Sequence, residues 1–286
     1  MRKKQRTEFI AKYAFMICST ASIAAVLLIS FYIFYRGVPA IFKIGLFKLI
    51  LGTVWNPSAG LYGILPMIVG SLLVTVGAII IGVPIGLFLA VFLAEYCPKK
   101  IYAPIKSAVE LLAGIPSVVY GFFGLVVIVP IIGRVFDGAG YSLLAASIIL
   151  GIMILPTIAN ISEASLRAVP RMYYEGGLSL GANHTESVFF IVLPAAKSGV
   201  ITSIILGIGR AIGETMAVIL VAGNTPMFPH LISDPIRTMT ANIAIEMSYA
   251  TGLHQDALFA TGVVLFLFII ILNIVLNIVT RRSVAK

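Results

Sequence analysis

The chain has 286 residues, of which 60% are hydrophobic and 11% charged, with a net charge of +9. A soluble domain carries about one quarter charged residues, so this composition excludes an ordinary soluble protein and indicates a polytopic membrane protein. The positive charge does not point to nucleic acid, because the basic residues sit in short stretches between apolar spans and no basic patch is interleaved with aromatics.

The first apolar run, Tyr13–Tyr35, follows a basic N-terminus, MRKKQRTEF. It is too long for the apolar core of a cleaved signal and shows no small-residue cleavage site, so it reads as a retained signal anchor. Five further runs follow: Ile64–Ala94, Ser107–Gly133, Tyr141–Ser162, Ser198–Asn224 and Ala257–Thr280. Each is long enough for the ~20 residues that a spanning helix needs. The second contains Gly82-Val83-Pro84 and is predicted to tilt or kink there. The third contains Gly114-Ile115-Pro116, a second predicted irregularity. The fold class is therefore all-α: a polytopic membrane bundle of about six transmembrane helices in a single domain, residues 1–286.

Six spans place both termini on one side. Five Lys and Arg lie in the N-terminal tail (Arg2, Lys3, Lys4, Arg6, Lys12), with Lys99, Lys100 and Lys106 between spans two and three. Arg167, Arg171 and Lys197 lie between spans four and five, and Arg281, Arg282 and Lys286 in the C-terminal tail. That is fourteen, against five on the other side (Arg36, Lys43, Lys48, Arg134, Arg237). The side with the basic excess is cytoplasmic, so both termini and the loop of residues 163–197 are expected there, and the Pro-rich stretch 225–256 outside.

The twentieth basic residue, Arg210, lies inside span five, where Glu214 is the other charge. A charge at the bilayer centre costs about 2.5–3.5 kcal/mol on insertion scales, so two such residues indicate a buried polar path, a structural ion pair, or both. Residues four apart share a helical face, so Ser203, Gly207, Arg210, Glu214, Ala217 and Val221 form a small, polar stripe. Such a stripe must face protein or a water-filled cavity.

In the loop of residues 163–197, Pro170 suits the first turn of a short helix and Gly181 its C-terminal cap. Gly176 and Gly177 between them weaken that helix by roughly 1 kcal/mol each relative to Ala, which makes sense if another surface packs on the backbone. Gly177-Leu178-Ser179-Leu180-Gly181 also satisfies G-x-S-x-G, but a loop between membrane helices lacks the α/β sheet that a nucleophile elbow needs. Elsewhere, His184, His230 and His254 show no metal-ligand spacing and read as surface groups. Ser117 and Tyr120 read as packing residues or path lining, Glu110 as a solvated end charge, and Asn160, Asn273 and Asn277 as interhelical hydrogen-bonding groups. Gly82-x-x-x-Gly86 and Gly209-x-x-x-Gly213 permit close helix contact. Cys18 and Cys97 are too far apart in this topology to pair. No metal site or catalytic constellation is visible.

Glu175-Gly176-Gly177, then Gly181, then Val192-Leu193-Pro194, resembles the EAA loop of ABC importer permeases, with Gly-Gly in place of Ala-Ala and Val-Leu-Pro in place of Ile-Leu-Pro. The resemblance implies that Glu175, Gly176, Gly177 and Gly181 belong to a coupling helix that docks on a cytoplasmic ATPase. Gly209-Arg-Ala-Ile-Gly-Glu-Thr-Met-Ala217, Gly114-Ile-Pro-Ser-Val-Val-Tyr-Gly121 and Thr240-Ala-Asn-Ile-Ala-Ile-Glu246 further resemble the phosphate-specific transport permease family, over a core of about residues 61–280. That implies a non-catalytic subunit of the bacterial or archaeal cytoplasmic membrane, in contact with membrane lipid. It implies a heterodimer with a second permease, two ATPase subunits that bind ATP and Mg, an external phosphate-binding protein, and no cofactor in this chain. Arg210 and Glu214 would then line the phosphate path. The chemistry agrees, because Arg presents a planar fork suited to phosphate oxygens. A carboxylate can accept a hydrogen bond from the P–OH group that phosphate retains and sulfate lacks. On this reading Glu214 pairs with Arg210 at rest. Permeases for sulfate or molybdate, an intramembrane enzyme and an autonomous carrier remain as alternatives.

Overall fold

The computed structural model describes residues 2–284. Helix α1 (Arg2–Ile44) stops at Gly45, whose φ of +93° is a left-handed conformation open to glycine, and a short α2 (Leu46–Leu51) follows. Two-residue strands β1 (Trp55–Asn56) and β2 (Leu61–Tyr62) pair antiparallel and lead into α3 (Leu65–Tyr96). Helix α3 continues through Pro84 and instead loosens into a π-helical turn at Phe92–Tyr96. The helix is therefore unbroken through Gly82-Val83-Pro84, where a tilt or kink is predicted.

Span three begins at Ser117, ten residues later than its apolar run suggested. Helix α4 (Lys99–Gly114) precedes it as a separate element, and Ile115 and Pro116 are extended. Proline disfavours helical geometry at the residue before it, so Gly114-Ile115-Pro116 divides one apolar run into two helices. The span itself, α5 (Ser117–Val135), contains a second π-helical turn at Gly124–Ile128. Helix α6 (Leu143–Arg167) is the fourth span, and Ser142 caps its start by accepting from the Ala145 N–H.

The polypeptide then forms α7 (Arg171–Ser179), α8 (His184–Ala195) and α9 (Lys197–Gly213), with a 69° bend between α8 and α9. Helix α9 stops at Gly213, and a short α10 (Met216–Val221) resumes after two residues. Helix α11 (Met239–Glu246) lies in the stretch expected to be an external loop, and α12 (Gly252–Val284) is the last span. Among the described residues five helices are long and apolar enough to cross a membrane, or six when the bent α8–α9 pair is taken as one span.

Helix α6 is the centre of the bundle and packs on α3, α9, α4, α5 and α10. Ile149, Leu150, Met153, Ile154 and Ile158 are fully buried along it. The α3–α6 contact runs parallel: a Cβ at Gly82 would come 2.7 Å from the Gly151 carbonyl and from Ile154, and one at Gly86 would meet Ile158 at 3.0 Å. The expected close approach at Gly82 and Gly86 is therefore present, whereas Gly209 and Gly213 face open space in this chain. Gly82→Val should lower permease stability by about 1–3 kcal/mol, the cost of overpacking, read as a lower Tm in detergent.

Helix α9 runs antiparallel to α6, and α1 antiparallel to α12, where Arg36 bonds Asp256 at 2.7 Å and Tyr32 and Phe34 meet Phe259 and Phe266 edge to face. This pairing puts the start of α1, the end of α12 and residues 168–196 at one end of the bundle. The apolar side chains of α1 are largely exposed, as a lipid-facing helix requires.

Candidate functional site

Helix α9 meets α6 through a polar seam. Ser203 and Ser162 share a hydrogen bond of 2.8 Å between hydroxyls, Gly207 packs on Ile158, and Arg210 Nη1 donates to Thr157 Oγ1 at 3.3 Å. The predicted small face is real up to Arg210. Beyond it the expectation fails. Glu214 is extended (φ −69°, ψ 132°), so it lies off the helix that carries Arg210. Its carboxylate accepts from the Ala217 N–H at 3.1 Å, and its carbonyl accepts from Thr240 Oγ1 at 3.0 Å. A carboxylate is stabilised by the free N–H groups at a helix start, and α10 supplies them. Among the described residues no ion pair joins Arg210 to Glu214.

The break at Glu214 is held from two sides. The Thr238 and Thr240 hydroxyls are 3.0 Å apart, and the Met239 N–H donates to Ser71 Oγ of α3 at 3.0 Å. The break at Ile115-Pro116 lies nearby, because Gly121 of α5 packs directly on Ala217 and Leu220 of α10. Tyr120 is buried and donates across its own break to the Leu112 carbonyl at 2.7 Å, a packing role. Two interrupted helices thus meet beside Arg210, whose guanidinium has Thr157 as its neutral partner within the chain. Thr157 escaped the sequence reading, since nothing local ties it to a residue 53 positions away.

At the other candidate region, α7 starts after Pro170, and Gly181 adopts φ +94° just past its end, as predicted. The glycine pair divides its roles. Gly177 is buried, and a Cβ there would collide with Ile191 and come 2.8 Å from Ser187 Oγ. Gly176 is exposed with nothing within 4 Å. Glu175 is exposed, as are Met172 (72%) and Leu180 (92%).

His230 is exposed as expected, but the other two histidines are a correction. His254 is only 17% exposed at its side chain, and its Nε2 lies 2.7 Å from Glu246 Oε2. That carboxylate also accepts from Trp55 Nε1 at 2.9 Å and from Arg237 Nη1 at 2.6 Å, so β1, α11 and α12 converge on one buried group. His184 is half-buried, with Nδ1 2.8 Å from the Tyr174 hydroxyl and its ring on Tyr96. Each of these hydrogen-bond partners lies 8 or 10 residues away across a turn of the chain, outside the spacing by which a helix pairs side chains, so periodicity does not reveal it. The other polar candidates divide as follows: Asn160 accepts from Lys106 at 2.8 Å, Glu110 is exposed, and the Asn277 side chain lies outside those described. In the loop before α11, backbone N–H groups of Leu231 and His230 hold the Asp234 carboxyl below the usual carboxylate range.

A bundle of six spans with a broken helix pair and an exposed loop helix defines a membrane transport component, and the sequence matches the family described as binding-protein-dependent transport system inner membrane component over residues 82–285. The chain belongs to that family and is a multi-pass inner-membrane protein. It is 36% identical to the probable ABC transporter permease protein YqgH of Bacillus subtilis, over 95% of this chain and 92% of that one. It is 38% identical to the phosphate transport system permease protein PstC of Pasteurella multocida, over 74% and 73% of the two chains. Its fold is that of a chain of a bacterial alginate ABC transporter, solved with an alginate pentasaccharide-bound periplasmic protein (TM-score 0.61, 16% identity, 92% and 94% coverage). It is also that of a chain of the inward-facing MetNI methionine ABC transporter (TM-score 0.59, 18% identity, 80% and 99% coverage).

Proposed function

We propose that this chain is the permease subunit of an ATP-driven importer of inorganic phosphate, working by alternating access. The observation that carries the reading is Arg210: a guanidinium inside a span, beside two helix breaks, with a neutral hydroxyl as its partner. A cation left without a carboxylate at this depth is matched by an anion in transit. Its planar fork suits phosphate oxygens in two-point contact. The similarity to phosphate permeases supports the choice of anion. Glu214 sits at the break itself, where its carboxylate caps α10 and can accept a hydrogen bond from a P–OH group when the break rearranges.

The end of the bundle that carries α7 is the cytoplasmic one, by the excess of basic residues, and both termini lie there. Glu175, Gly176 and Gly181 lie on the surface that docks on one of two partner ATPases, which hold ATP and Mg, while Gly177 seats that helix on Ile191 and Ser187 within this chain. A second permease completes the path by covering the open face at Gly209 and Gly213, and an external binding protein delivers phosphate. The test is radiolabelled phosphate uptake in vesicles holding the whole complex, loaded binding protein and internal ATP. Uptake that needs ATP and is not competed by sulfate is expected. Full competition by sulfate would overturn phosphate selectivity, and uptake without ATP would overturn the importer reading.

A further inference from the structure

Glu163 is buried to 2% exposure near the end of α6 and takes no part in the path or the docking surface described above. Its carboxylate is fully engaged. Oε1 accepts from the Tyr102 hydroxyl at 2.7 Å and from Arg167 Nε at 2.9 Å, and Oε2 accepts from Lys106 Nζ at 2.9 Å. Lys106 also donates to Asn160 of α6 at 2.8 Å. Tyr102 and Lys106 both belong to α4, where Val109 is the one buried side chain. Helix α4 is thus held on the bundle largely through this cluster rather than through an apolar face.

The cluster continues to α7. Arg167 Nη2 donates to the Leu93 carbonyl in the π-helical turn of α3 at 2.7 Å, and its guanidinium stacks 4.8 Å from the Tyr102 ring. Arg171, the first residue of α7, lies 3.8 Å from Glu95 of the same turn. Tyr174 of α7 reaches Tyr96, also in that turn, through His184. At its far end α4 runs into the Ile115-Pro116 break, bridged by Tyr120 and Leu112, where α5 packs on α10.

From this geometry we infer that Glu163 is a positioning residue for transport: it fastens α4 to α6, so that a displacement of α7 is carried through α4 to the helix breaks beside Arg210. Only three residues separate Arg167 from Arg171, so the end of α6 follows α7. Without the carboxylate, α4 is free to lag behind. The inference rests on α7 being the ATPase-docking helix. It makes Glu163 matter for the ratio of transport to hydrolysis rather than for either alone.

The experiment uses the complete reconstituted complex with phosphate-loaded binding protein, measuring phosphate uptake and ATP hydrolysis in the same vesicles. Glu163→Gln keeps the size of the side chain but removes its charge. Hydrolysis is expected to stay within about twofold of wild type while uptake per ATP falls about tenfold, the scale of a typical coupling free energy. A proportional loss of both, or no loss of either, would overturn the inference. A second variant guards against simple misfolding. Lys106→Cys with Asn160→Cys, in a transport-competent Cys18→Ser, Cys97→Ser background, should be uncoupled. A short cleavable thiol cross-linker should then restore uptake per ATP, and reduction should abolish it again. If the linked complex stays uncoupled, a rigid α4–α6 connection is not what coupling requires. Failure of the docking assumption would show separately, because Gly176→Leu would then leave uptake and hydrolysis unchanged whatever Glu163→Gln does.

Discussion

Arg210→Ala is expected to reduce phosphate uptake by about 100-fold or more while the complex still assembles. Losing a buried, hydrogen-bonded charge contact costs about 2–5 kcal/mol, which is the source of that figure. The separation of transport from assembly follows from the structure. Within this chain Arg210 makes one side-chain hydrogen bond, to Thr157 at 3.3 Å, and no ion pair among the described residues. Removing it strands no buried carboxylate, so the Tm of the solubilised permease should hardly move. Arg210→Lys keeps the charge but not the two-pronged geometry, and intermediate uptake is expected. Full uptake in the lysine variant would show that a point charge suffices. Normal uptake in the alanine variant would remove Arg210 from the path altogether. The measurement is initial uptake rate in vesicles, with co-purification of all subunits as the control.

The adjacent glycines of α7 should fail in different ways. Leucine at Gly177 must displace Ile191 and Ser187 inside this chain, so the permease itself should lose about 1–3 kcal/mol of stability and melt earlier. Leucine at Gly176 meets nothing within 4 Å, so the isolated permease should melt as wild type does. If the ATPase packs on that backbone, Gly176→Leu should nevertheless weaken ATPase co-purification and cut uptake by about tenfold or more, as a steric clash at the centre of an interface does. Wild-type uptake in Gly176→Leu would mean that the partner docks elsewhere on the exposed surface. Thermal melting and ATPase retention on the same preparations separate the two failures.

Much of this was legible in the residues. Six apolar runs correspond to six spans, Pro170 and Gly181 bracket α7, and Gly82 and Gly86 mark the α3–α6 approach. Each is a local property: apolar length, a residue that fits a helix end, or the absence of a side chain. The boundaries were less legible, because an apolar run does not reveal where its backbone leaves the helix. Ser107–Gly133 contained the end of α4, a break and the start of α5; Ser198–Asn224 contained α9, a break and α10.

The sequence by itself determined that this is an integral bundle, which face of α9 is polar as far as Arg210, and where the loop helix α7 begins and ends. Tertiary structure alone decided what the charges do. A helical repeat placed Glu214 beside Arg210, but Thr240 and the α10 backbone hold it elsewhere, leaving Arg210 with Thr157. Glu163 and Glu246 became hubs only when the fold brought Lys106, Tyr102 and Trp55 from distant segments and turned the nearer Arg237 and His254 onto the Glu246 carboxylate. A buried charge takes whatever hydrogen-bonding partners the fold brings within about 3 Å, and that choice depends on the packing of whole helices rather than on neighbours in the chain.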